Sequence, residues 1–183
     1  MRLAASGYAV PALAAIAFIE SSIFPIPPDV LLIPMILAAP ARAWQLAGVA
    51  TVASVIGGYF GYAIGYFTFA TIGRPILEFY HVMDKYDALK ASFDQWGAWI
   101  IVAKGMTPIP FKLLTIASGA LDFNLVSFTA ASLVSRSLRF FLVAALLWWF
   151  GEPIRSFIER RLTLVTTAFV VALLGGFVVL RYL

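Results

Sequence analysis

Of 183 residues, 62% are hydrophobic and only 12% charged, with a mean hydropathy of +0.95; a soluble domain is nearer half apolar and a quarter charged. This composition excludes a soluble catalytic domain and marks an integral membrane protein. At ~20 residues per crossing, the length allows one domain and about six crossings at most. Lys and Arg number 13 against 9 Asp and Glu, but they are scattered among apolar runs. That excess speaks for membrane orientation and against nucleic acid as a partner. There is no cysteine, which removes disulfides and thiolate metal sites. The lone His81, in a polar stretch with no second histidine, reads as a surface residue. Neither metal nor cofactor is expected.

Arg2 followed by the apolar run Leu3 to Ile19, with Ala41-Arg42-Ala43 beyond, has the outline of a signal peptide. Glu20, Asp29 and the intervening prolines interrupt the apolar region a signal needs, so the segment is expected to be retained. Apolar blocks then fall at about 3–39, 44–73, 97–121, 124–150 and 162–180. The first contains Pro25, Pro27 and Pro28, and the third contains Pro108 and Pro110. Paired prolines remove backbone donors and clash with the preceding turn, so neither block makes a straight helix. Broken backbone at membrane depth requires cover by protein or water. Both blocks are therefore read as re-entrant hairpins.

Pro25-Ile26-Pro27 recurs as Pro108-Ile109-Pro110, and Gly73-Arg74-Pro75-Ile76 as Gly151-Glu152-Pro153-Ile154. Each copy reads as a broken hairpin, one long span and a G-x-P-I exit. One crossing per copy inverts the second relative to the first, a pattern that places a transport site at the repeat interface. The expected fold is thus an all-α integral membrane protein with an inverted repeat. Each copy supplies a re-entrant helical hairpin and a transmembrane helix, and a C-terminal transmembrane helix is added at 162–180. Within a single membrane domain, 1–183, repeat one covers about 8–76 and repeat two about 97–154. Between them, 76–96 has apolar positions Ile76, Phe79, Met83, Tyr86, Phe93 and Trp96 at helical spacing. It is read as an amphipathic helix in the membrane interface, with Tyr80 and Trp96 as headgroup anchors. Its acids Glu78, Asp84, Asp87 and Asp94 outnumber Lys85 and Lys90, which fits a connector better than a dock for anionic lipid. The positive-inside rule sets Arg2, Arg42, Arg155, Arg160 and Arg161 against Arg74, Lys85, Lys90 and Arg181, and tips the N-terminus to the cytoplasm.

Arg136 and Arg139 lie deep inside an apolar run, where each charge costs ~2.5–3.5 kcal/mol on insertion scales. Three residues apart, they share a helix face. An arginine fork binds phosphate or carboxylate bidentately, so the pair reads as a substrate site or as structural partners of Glu20 and Asp29. Those two acids are brought together by the proline break. Burial disfavours a charged carboxylate and an arginine favours it, so each acid suits proton coupling or a static counter-ion role. Lys112 is the repeat equivalent of Asp29, and Lys104 marks the shoulder of the second hairpin. Four bases (Lys104, Lys112, Arg136, Arg139) against two acids make a cavity that attracts phosphate. Gly57, Gly61 and Gly65 form a four-residue ladder suited to close helix packing, against the other repeat or a second copy. No soluble-enzyme motif is present.

The stretches Phe18 to Asp29, Lys104 to Lys112 continuing through Gly119, and Arg136-Ser-Leu-Arg139-Phe140 resemble the DedA family, also called the SNARE-associated or VTT-domain family. The resemblance spans roughly residues 15–153. It implies opposed re-entrant hairpins in a bacterial inner membrane and movement of lipid between leaflets, driven by proton motive force. Undecaprenyl phosphate and phosphatidylethanolamine are the implied substrates. Glu20 and Asp29 match the family's paired acids, and Arg136 and Arg139 its late arginines. Many members carry arginines around the second proline break, where this chain has Lys104 and Lys112. The expected function is a flippase or scramblase, not an enzyme. The alternatives are a transporter of small soluble anions or ions, and a membrane-embedded lipid-phosphate enzyme or scaffold.

Overall fold

The computed structural model describes residues 8–23, 26–81, 83–105 and 110–160, and all its regular elements are helices. The apolar segment 162–180 lies outside the described residues, as do Arg2, Arg161, Arg181, Pro25 and Pro108. Helix α1 spans Ala9–Ser22 and α2 spans Asp29–Ala38. A 3-10 turn, Pro40–Arg42, leads into α3, Ala43–Thr68. Then follow α4 (Arg74–Phe79), α5 (Met83–Gly105), α6 (Phe111–Ala120) and α7 (Leu125–Arg160). Two stretches, Pro40–Phe79 and Leu125–Gly151, are long and apolar enough to cross a membrane. At 1.5 Å per residue, α1 is about 21 Å long and α2 and α6 about 15 Å, short of the ~30 Å hydrocarbon core.

Proline and capping residues set the element boundaries. Pro28 precedes α2 and Pro110 precedes α6, at positions where a missing N–H costs nothing. Asn124 accepts the Ser127 N–H at 2.9 Å and caps α7. The two G-x-P-I motifs do not end their helices. Instead the backbone distorts on the N-terminal side of each proline and continues. A π turn occupies Phe69–Gly73 ahead of Pro75, and Phe150 leaves helical geometry ahead of Pro153. Both distortions relieve the clash between a proline ring and the preceding turn. The stretch 76–96 is likewise not one helix. Helix α4 ends at Phe79, His81 turns the chain with φ 54°, and α5 runs from Met83 without a break to Gly105.

Helices α3 and α7 are antiparallel. Ser54 meets Arg136, Tyr59 meets Thr129, and Tyr62 meets Phe128 and Phe123, partners that descend along α7 as α3 ascends. Against α3 lie α1 and α6, both parallel to it. Gly57 abuts the Phe18 carbonyl, Gly61 abuts Ser21 and Thr115, and Gly65 abuts Ile116 and Ala120. Against α7 lie α5 and α2, again parallel to it. Phe93 and Gly97 pack at Phe123, Val102 and Gly105 at Ser135, Asp29 at Arg139, and Leu37 at Gly151. Each long helix therefore carries two arms end to end, each shorter than itself and one from each proline-broken pair. Where α1 stops, α6 begins.

One buried apolar cluster joins α1, α2, the first half of α3 and the later part of α7 around Leu13, Leu32, Ile36 and Phe140. A second joins α5, α6 and α7 around Ile101, Phe111, Phe123 and Phe128. The polar groups sit where the two clusters meet.

Candidate functional site

At the junction of α1 and α6, groups left unpaired at one helix end meet those left unpaired at the other. Glu20, in the last turn of α1, accepts the Phe111 N–H at 3.4 Å. Lys112 Nζ donates to the Ile23 carbonyl at 2.9 Å, and Thr115 Oγ1 lies 3.0 Å from the Ser21 carbonyl. Two carbonyls and one carboxylate at the negative end of α1 thus find donors at the positive end of α6. At the second junction, Gly105 ends α5 against Ser135 of α7, and Asp29 opens α2. The carboxylate of Asp29 lies in the first turn, where the helix field favours it.

Arg136 reaches across from α7. Its guanidinium is fully buried, with Cζ over the rings of Phe111 and Phe140, 4.5 and 4.9 Å from their centroids. Nη2 donates to Glu20 Oε2 at 2.5 Å and Nε to Ser54 Oγ at 2.6 Å. Ser54 Oγ is 2.6 Å from Ser21 Oγ, which lies 3.3 Å from Glu20 Oε2. Arg136, Ser54, Ser21 and Glu20 therefore close a ring drawn from three helices. Among the described residues, Arg136 Nη1 is buried with no hydrogen-bond partner.

One turn on, Arg139 Nη2 donates to Asp29 Oδ2 at 2.6 Å. This pair is more open, about one-fifth exposed on each side chain, and Asp29 Oδ1 has no partner. All four charges singled out on α1, α2 and α7 are thus gathered as two ion pairs, 20 with 136 and 29 with 139. Lys112 and Asp29 take different partners and make no bridge between the hairpins. Lys104 lies exposed near the end of α5. Pro27, Pro28 and Pro110 flank the junctions, and the ladder Gly57, Gly61 and Gly65 lets α1 and α6 approach α3 within the chain.

Residues 26–149 match the VTT domain. The chain belongs to that family. It resembles an uncharacterised protein of Haemophilus influenzae, at 34% identity over 95% of this chain and 90% of the relative. It also resembles an uncharacterised protein of Histophilus somni, at 32% identity over 91% of this chain and 86% of the relative. No solved structure matches. The VTT-domain range includes Asp29, Lys112, Arg136 and Arg139, while Glu20 precedes it.

The sequence reading of this VTT-domain chain passed over the hydroxyls. Ser21, Ser54 and Thr115 are buried at the centre, yet serine and threonine are common in membrane helices and carry no pattern alone. Ser54 does lie on the stripe of Gly57 and Gly61, so the small-residue ladder already pointed to it. Lys90 was counted as a surface charge of a connector. It caps α6, donating to the Leu121 carbonyl at 2.6 Å and the Asp122 carbonyl at 3.2 Å.

Proposed function

We propose that this VTT-domain protein is a bacterial inner-membrane lipid transporter, moving a phosphate-bearing lipid between leaflets without chemistry on it. The observation that carries this reading is the meeting of two broken helix pairs at two arginine–carboxylate pairs. Helix ends at membrane depth are tolerated where they are buried in protein or line a cavity, and in transporters such ends mark the binding site; arginine selects planar or tetrahedral oxyanions.

The packing supports an inverted repeat. Exchanging α1, α2 and α3 for α5, α6 and α7 reproduces the packing of each long helix against its two parallel arms, while α3 and α7 oppose one another. Tyr86, near the start of α5, donates to the carbonyl of Ala120 at the end of α6. That brings the second hairpin back to the level where it began, as a re-entrant element does. In the first hairpin, α1 and the start of α3 run in register, which returns α2 to the level of Ala9.

The carboxylates hold the arginines in the resting state. A phosphate entering from the lipid phase replaces Asp29 on Arg139, the more open pair, while a proton taken up by the displaced acid keeps the cavity balanced. Undecaprenyl phosphate and phosphatidylethanolamine both present the required oxygens. Purified protein in vesicles, assayed with a panel of phospholipids and polyprenyl phosphates with and without a pH gradient, tests the proposal. Accelerated movement of at least one such lipid is expected. Flux of a soluble anion with no lipid movement overturns it.

A further inference from the structure

The ring around Arg136 assigns a role to two hydroxyls. We infer that Ser54, backed by Ser21, is a positioning residue: it fixes the Arg136 guanidinium so that its Nη edge can exchange Glu20 for a phosphate. The inference rests on the proposed transport only for its consequence, because the positioning itself has a separate readout.

A guanidinium carries five N–H donors in one plane. In Arg136 three anchors hold the guanidinium without help from Glu20: cation–π contacts with the rings of Phe111 and Phe140, and Ser54 Oγ on Nε. Ser54 accepts that hydrogen bond and shares a further one with Ser21 Oγ, 2.6 Å away, in which either hydroxyl can donate. Ser21 in turn has the Ala17 carbonyl at 3.1 Å and Glu20 Oε2 at 3.3 Å as acceptors. Both serines are fully buried, so the arrangement is shielded from competing water.

The opposite edge of the guanidinium is under-used. Glu20 engages Nη2, while Nη1 is buried and unpartnered. One carboxylate oxygen thus engages only one of the two Nη nitrogens. A phosphate offers two oxygens at the spacing of Nη1 and Nη2, and can replace Glu20 there only if the plane stays put when Glu20 leaves. Without Ser54, Nε loses its acceptor, and the guanidinium is free to follow the carboxylate.

The direct test is NMR of 15Nε-labelled arginine in protein embedded in nanodiscs, with the Arg136 signal assigned by its loss in Arg136→Lys. A slowly exchanging Arg136 Nε–H is expected. In Ser54→Ala its chemical shift should move and its exchange accelerate about tenfold or more; Ser54→Thr, which keeps the hydroxyl, should restore both. Should Ser54→Ala not fold, Ser21→Ala removes the second link and is expected to give a smaller change of the same sign. An Arg136 Nε–H with the same shift and exchange in Ser54→Ala overturns the inference. In the vesicle assay, Ser54→Ala should slow lipid movement about tenfold, and in an Arg136→Lys background the same substitution should have no further effect, since lysine has no Nε–H. Ser54→Ala moving lipid at the unaltered rate also overturns the inference. A wild-type protein that moves no lipid removes the proposed function, while the NMR result still decides whether Ser54 positions Arg136.

Discussion

Arg136 and Arg139 share one face of α7 but not one environment. The first is fully buried, with two phenylalanine rings and its carboxylate partner against it; the second is about one-fifth exposed. Truncating one member of a buried pair strands the other charge, so Arg136→Ala should cost about 3–5 kcal/mol of stability. Arg139→Ala should cost less, on the order of 1 kcal/mol, because its pair is the less buried of the two. Replacing both buried charges, as Glu20→Leu with Arg136→Met, should recover most of the Arg136→Ala loss. Denaturant unfolding in detergent micelles ranks the three; equal losses for the two single variants would remove the distinction between the pairs. These charges were legible in the sequence because an arginine in a long apolar run has no bland explanation. Which acid pairs with which arginine was not, since Glu20 and Asp29 stand on opposite sides of a break whose geometry no periodicity encodes.

The glycine ladder of α3 determines whether α1 and α6 can lie end to end. A Cβ on Gly61 would collide with Thr115 Oγ1 and press on the Ser21 carbonyl, and one on Gly65 would run into the Ile116 backbone. Overpacking of this kind costs about 1–3 kcal/mol. Gly61→Ala should therefore destabilise the protein and slow lipid movement. Gly48→Ala, with open space around its position, should be neutral or slightly stabilising. Thermal unfolding of the two variants side by side decides it, and a neutral Gly61→Ala would contradict the close approach. The ladder's spacing announced tight packing, and the prolines announced the breaks. The continuity of α5 past Trp96 was hidden because the polarity of the chain changes there while its helical phase does not. Gly97, which might have ended a helix, is instead tucked against Phe93 and Phe123.

Across the whole molecule, each long helix holds one arm of each broken pair. Recurring proline motifs pointed to two broken helix pairs, but the crosswise sharing of their arms was not legible. It depends on which surfaces meet in three dimensions: Gly119 fits the Tyr62 backbone and Leu37 fits Gly151. The arrangement makes a topological prediction that the absence of native cysteine renders simple to test. Single cysteines at Tyr8 and Arg42 should react with an impermeant thiol reagent from one side of the membrane, and those at His81 and Asp122 from the other. Tyr8 and Arg42 on opposite sides would mean that the first hairpin crosses the membrane.

The claim that phosphate is what the two arginines recognise is tested most directly by comparing two fluorescent lipids in the same vesicles, one with a phosphate headgroup and one a neutral glycolipid. The account predicts accelerated movement of the phosphate lipid alone, lost in Arg139→Ala. Equal acceleration of both lipids, or a rate for the phosphate lipid that Arg139→Ala leaves unchanged, would contradict it.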